Sequence, residues 1–171
     1  MKKIIRNISY LLLIFSLLPI LSGCNDEDDV IEIFTGKTWK LSRLTTKDSN
    51  ARFFSGLWDN QTDYEKSMSA LDKGGNFTLI FEGSELNGEV LGTSIKVQGI
   101  KANITGSWDV DGKKHSLTIN AKVNGSETDP LAKAFISGLQ TVYKYEGDTN
   151  SLTLFYEDGQ TTKIMGFIPQ Q

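Results

Sequence analysis

Few side chains in this chain of 171 residues could do chemistry, and their spacing is informative. His115 is the only histidine, so a Ser-His-Asp relay or a histidine-bearing metal site would have to use it. It follows Lys113-Lys114 near a predicted turn. Neither a Gly-x-Ser-x-Gly elbow nor a second histidine accompanies it. We therefore read it as a solvated turn residue. The carboxylate pairs Glu82/Glu85 and Glu157/Asp158 fall at predicted strand ends and turns. A glycoside-cleaving pair would have to face each other across a cleft at roughly 5–10 Å. Gly74-Gly75 follows a predicted helix instead of leading into one, which excludes a phosphate-binding loop by order alone. These residues predict no catalytic group, no metal site and no cofactor. One thiol remains, Cys24.

Cys24 closes the tetrad Leu21-Ser22-Gly23-Cys24. Before it, Lys2, Lys3 and Arg6 form a positive start. Ile8 through Leu21 is apolar apart from Ser9, Tyr10 and Ser16, with Pro19 near its end. That run is short of the roughly 20 residues a membrane span requires, and small residues follow it, which is the form of a cleaved leader. Residues 1–24 resemble a bacterial lipoprotein signal peptide. The resemblance implies cleavage after Gly23 and lipid attachment at Cys24. Each buried acyl methylene contributes about 0.8 kcal/mol, so several chains together hold a domain durably on a membrane. Lipidation would also consume the sole thiol, leaving no intrachain disulfide in an oxidising compartment.

The remaining 148 residues, Cys24 to Gln171, suit one domain. The leader holds three of the 18 basic residues and none of the 21 acidic ones, so the rest carries −6. No basic block offers phosphate contacts, which argues against a nucleic-acid partner. Residues 24–30 read as an acidic tether. Asn25-Asp26-Glu27-Asp28-Asp29 is a solvated, extended stretch of neighbouring carboxylates. It also resembles the export signal that sends Bacteroidota-type lipoproteins to the outer face of the outer membrane. Calcium binding there would be weak, because no Gly-turned loop gathers the ligands.

Residues 31–171 read as one mainly β domain. Val30–Phe34 is a short helix or strand. Trp39 and Leu41 alternate with Lys40 and Ser42, the period of a half-buried strand. Residues 51–58 form a strand or a packed loop. Tyr64, Met68 and Leu71 make a helical stripe within Thr62–Asp72, with Thr62 or Asp63 as N-cap, and the stripe is expected to pack on the sheet. Phe77, Leu79 and Phe81 open a run of antiparallel strands. Ile95 and Val97 continue it, then Ile104, Trp108 and Val110, and then Leu117, Ile119, Ala121 and Val123. Asn87-Gly88, Asp111-Gly112, Asn124-Gly125 and Asp158-Gly159 are turn signals. Asp129-Pro130 starts a second helix bearing Leu131, Ala134, Phe135 and Leu139. Three last strands follow, carrying Val142, Tyr143 and Tyr145, then Leu152, Leu154 and Tyr156, then Ile164, Met165, Phe167 and Ile168. The expectation is an antiparallel meander forming a lipocalin-like barrel or a strongly curled sheet, with two short helices. Closure removes exposed edges.

Gly36-Lys37-Thr38-Trp39-Lys40-Leu41 resembles the Gly-x-x-Trp opening of META-domain lipoproteins and the Gly-x-Trp opening of lipocalin-like barrels. Residues 130–159 are similar to the META ending, with a Leu/Phe helix, then Leu139-x-x-Val142-x-x-Tyr145, and Leu152-Thr153-Leu154 running to Asp158-Gly159. The likeness covers 36–46 and 130–168. The mid-chain Gly-Cys-Asn segment of META domains has no counterpart in 83–108, and the insert at 45–75 is long. META-type proteins imply a non-enzymatic envelope role. Lipocalin-like barrels imply a small apolar ligand.

The aromatics Trp39, Phe53, Phe54, Trp58, Trp108, Tyr143, Tyr145 and Tyr156 either fill the core or line a pocket. The leading expectation is a lipid-anchored outer-membrane protein of binding or structural role, possessing no enzymatic activity. It touches the membrane through Cys24 and meets an envelope protein or a small apolar ligand. The rivals are a carrier of a hydrophobic ligand inside the barrel and an accessory lipoprotein that binds or processes glycans.

Overall fold

The computed structural model describes residues 29–87 and 89–170. The leader, Cys24 and the tether up to Asp28 lie outside the described residues. Eight antiparallel strands run in sequence order and close into a barrel. They are β1 (Thr38–Thr46), β2 (Thr78–Leu86), β3 (Glu89–Gln98), β4 (Asn103–Asp111), β5 (Ser116–Asn124), β6 (Val142–Gly147), β7 (Leu152–Asp158) and β8 (Thr161–Pro169). The helices are α1 (Val30–Phe34), α2 (Gln61–Leu71) and α3 (Pro130–Leu139). The expected curled meander is thus a closed barrel, with three helices among the described residues where two were expected.

Period-two alternation puts the apolar set inside. In β5, Leu117 and Ile119 are buried while Thr118, Asn120 and Lys122 are exposed. Ile119 faces Trp108 across the β4–β5 ladder. β1 closes the barrel on β8 from Trp39↔Pro169 to Thr46↔Lys163, with a bulge between Leu41 and Arg43. The β1–β2 pairing is short, Thr38–Lys40 against Thr78–Ile80. Beyond it, residues 51–58 are a loop. Its segment 52–54 lies along β1, where Leu44 N donates to Arg52 O and Phe54 N to Leu44 O.

Antiparallel order sends alternate connections to opposite ends. At one end the β2–β3, β4–β5 and β6–β7 turns gather around α1. Lys37 Nζ ties this end together by donating to Glu32 O and Thr149 O. The other end is covered by α2 and α3. Asn60, not Thr62 or Asp63, caps α2, because its Oδ1 accepts from Asp63 N at 3.0 Å. The predicted stripe is rotated accordingly. Ser67 and Leu71 are buried, whereas Tyr64 is exposed and packs edge-on against Trp58. Asp129 caps α3 with Pro130 following it, as expected. Gly138 lets α3 approach the barrel wall: a Cβ there would meet Met165 Cε at 2.3 Å and Tyr156 Cε2 at 2.7 Å.

Asp111-Gly112 does mark a hairpin, but Asp111 pairs with Ser116 across a longer loop. Asp111 Oδ1 accepts from Lys113 N and Lys114 N, and His115 completes the loop at φ +53°. The Asp158-Gly159 signal is a tight turn, since Asp158 pairs with Thr161.

Candidate functional site

The barrel interior near α1 is built from rings. Phe34, fully buried, enters from α1 and meets Phe81 at 4.8 Å, Tyr145 at 4.9 Å and Trp108 at 5.3 Å between centroids. Towards the α3 end, Phe135 packs on Phe77 at 5.6 Å and Phe167 at 6.3 Å. Such edge-on and offset contacts add about 0.5–1.5 kcal/mol per pair beyond burial. Of the residues expected to form core or pocket, Trp39, Trp108, Tyr145 and Tyr156 are buried and Trp58 is half-buried. Tyr143 lies outside, 43% exposed, because a bulge between Val142 and Lys144 shifts the β6 register.

The indole N–H groups are all used internally. Trp39 donates to Phe34 O at 3.1 Å, Trp108 to Glu82 O at 2.9 Å, and Trp58 to Ser67 Oγ at 2.7 Å. A ligand site fixes orientation with a few convergent polar groups, and these three are committed to the fold. Burial pushes the Tyr156 hydroxyl pKa well above its usual value. An apolar carrier would require a hollow where these rings touch.

Two clefts lie outside this packing. An open groove of about 750 Å3 runs between Thr35–Thr38 and Ile80–Gly83, with Gln170 at its side. It exists because β1 begins at Thr38, opposite Ile80. Among the described residues, β2 beyond that point has only the Thr35↔Phe81 bridge on this edge. Glu82 stands there, and hydrogen bonds from Lys96 and Ser94 hold its carboxyl below the usual range. The other cleft, about 220 Å3, lies between α3 and the β7–β8 turn, beside Tyr156, Glu157 and Asp158. Glu157 accepts from Thr162 Oγ1, and Asp158 from Lys163 Nζ. Each of these carboxylates therefore has its own hydrogen-bond donor. Glu85 is exposed on β2.

His115 is half-buried, its ring 5.7 Å from Tyr145, and its carbonyl accepts from Tyr145 N. It is a wedge in the β4–β5 turn, in contrast to the solvated residue expected. Among the described residues no group of three or more His, Cys, Asp or Glu could hold a metal ion. Among them, too, no helix is long and apolar enough to cross a membrane.

Two polar clusters escaped the sequence reading. Ser67, fully buried, donates to Asp129 Oδ2 at 2.7 Å while accepting from Trp58, which couples α2 to the α3 cap. Glu127 Oε1 accepts from Ile100 N, Lys101 N and Ala102 N at 2.7–2.8 Å. Both link residues far apart in sequence, so local pattern carries no sign of them.

The model of a domain of unknown function, DUF4847, matches residues 25–169. A crystal structure of a DUF4847 family protein from Bacteroides vulgatus ATCC 8482 is similar at a TM-score of 0.58 and 25% identity, covering 81% of this chain and 96% of that one. No curated protein matches.

Proposed function

The chain belongs to the DUF4847 family, and from that premise we propose that it is a lipid-anchored, non-enzymatic protein of the cell envelope with a binding or structural role. One observation carries the reading: Leu21-Ser22-Gly23-Cys24 ends an apolar leader and stands immediately before the acidic tether and the family domain. The lipid would be attached at Cys24, and the outer membrane is the proposed location. The acidic run supports that, and so does the Bacteroides source of the similar structure. The ring-to-ring interior supports a role exerted from the outer surface, since the buried aromatics are spent on packing. The groove beside β2 is where a partner or small ligand would find backbone groups and Glu82.

Expressed in a bacterium with lipoprotein processing, the full-length protein should pellet with membranes and carry a lipid mass at its new N-terminus. Cys24→Ser should move it to the soluble fraction with no lipid mass. Retention of Cys24→Ser in washed membranes would defeat the anchor assignment.

A further inference from the structure

The β2–β3 hairpin stands off the barrel. Up to Phe81 and from Ile95 onward the hairpin is barrel wall, with Leu79, Phe81, Ile95 and Val97, every second residue, buried inside. Between them the alternation is lost: Ser84, Glu85, Leu86, Glu89, Leu91 and Gly92 are all exposed. A bulge between Glu82 and Ser84 separates the two regimes, with Gly92 at φ +65° on the opposite strand. This left-handed conformation is one that glycine adopts without steric cost, and bulges bend and twist the strand that carries them.

Two leucines sit on this projecting arm, Leu86 at 60% and Leu91 at 43% exposure. Leu86 pairs with Glu89 and Ser84 with Leu91, so both leucines lie on one face, diagonally across the ladder. An isolated exposed leucine needs no explanation. A leucine pair exposed on one face of an arm, with half-buried Val90 packing on the core from the other, is a different matter.

The start of the described chain lies at the same end. Thr35 bridges Phe81, and Ile31 Cδ1 lies 3.8 Å from where a Gly83 Cβ would be. α1 therefore places Ile31 beside Gly83, at the base of the hairpin arm. Leu86 lies about 10 Å beyond Gly83 at the usual strand rise. Covalent geometry limits residues 24–28 to a reach of about 18 Å. A lipid on Cys24 thus keeps this tip within reach of the bilayer surface.

We propose that the Leu86/Leu91 face of the β2–β3 hairpin rests on the membrane as a second contact, setting the barrel on the bilayer with its α1 end down. The inference rests on lipid attachment at Cys24. Two leucines could not hold a free protein on a membrane, but the anchor already supplies the proximity. Glu85 and Glu89 flank the leucines, so the contact is made with zwitterionic headgroups and weakens as anionic lipid is added.

The test uses full-length lipidated protein in phosphatidylcholine vesicles, labelled with an environment-sensitive fluorophore through Leu86→Cys, Leu91→Cys or, at the far end of the barrel, Gln160→Cys. These sites are exposed, so folding is not at stake. A blue shift and loss of iodide quenching at positions 86 and 91, with none at 160, is the expected result. Vesicle-bound protein whose labels at all three positions stay equally quenched would overturn the docking while leaving the anchor intact. Protein that fails to float with vesicles, or lacks the lipid mass, would overturn both. Protection at 86 and 91 without vesicles would assign the face to a protein contact instead.

Discussion

Glu127 shows how much can rest on one oxygen. Its Oε1 accepts the three consecutive backbone N–H groups of the β3–β4 turn, Ile100 to Ala102. Ala102 is fully buried. Hydrogen bonds to a charged group are worth about 1.5–3 kcal/mol each, and their sum is reduced because they share one acceptor. Glu127→Ala should therefore lower unfolding free energy by about 2–3 kcal/mol in urea, with Glu127→Gln, which keeps a carbonyl oxygen, losing less. An alanine variant as stable as the wild type would show that water replaces the carboxylate freely. Asp148 does similar work at the β6–β7 turn. Its carboxyl is held below the usual 3.8 chiefly by the backbone N–H of Asn150, then by that of Ser151. The ionised form is thus favoured by folding. Its contribution is present above pH 3.8 and is lost as pH falls through the depressed folded value. Asp148→Asn should be less stable than wild type at neutral pH, and the gap should narrow below pH 3.8. A gap independent of pH would mean that the charge plays no part.

At the scale of elements, α1 behaves as a plug. A helix of five residues has almost no stability of its own. It is held by the burial of Phe34 among Phe81, Trp108 and Tyr145 and by the Trp39 indole on the Phe34 carbonyl. Phe34→Ala should cost about 3–5 kcal/mol in equilibrium unfolding and expose the Trp108 ring, seen as a red shift in tryptophan emission. A loss below about 1 kcal/mol would mean the site collapses and α1 is not a plug. The strands were legible because one buried and one wet face impose period two. Asp129-Pro130 was legible because a cap and a first-turn proline act locally. The α2 start was misread because Asn60, Thr62 and Asp63 all suit a cap, and only the Asn60 Oδ1 geometry distinguishes them. Tyr143 and Tyr145 share a strand and a residue type, and the β6 bulge that sends Tyr143 outward has no signature in either residue. The Ser67–Asp129 bond spans 62 positions, a closeness that only the folded barrel creates. Cys24 is the opposite case: its proposed lipid attachment rests on a local sequence motif alone.

At the scale of the whole molecule, barrel closure is uneven. β4 and β5 pair along their full length, Asn103–Asp111 against Ser116–Asn124, and β7 pairs with β8 from Leu152 to Asp158. β5 and β6 meet at a single rung, Ser116↔Lys144, with Tyr145 N donating to His115 O beside it. Connectivity goes with this: the chain leaves β5 at Asn124 and returns to β6 only after α3. Along Thr118–Asn124, alternate amides then point towards β4 and towards the open seam. An open strand edge invites pairing with other chains, and polar or charged residues blunt it. Here Thr118, Asn120 and Lys122 are exposed. Hydrogen exchange should show an alternating slow and fast pattern over Thr118–Asn124, against uniform protection in β7, which is paired along most of its length on both sides. Uniform protection of the β5 segment would mean that the seam is covered in solution, either by further rungs to β6 or by a second chain. Exchange at two protein concentrations would separate these, because only a second chain makes protection rise with concentration.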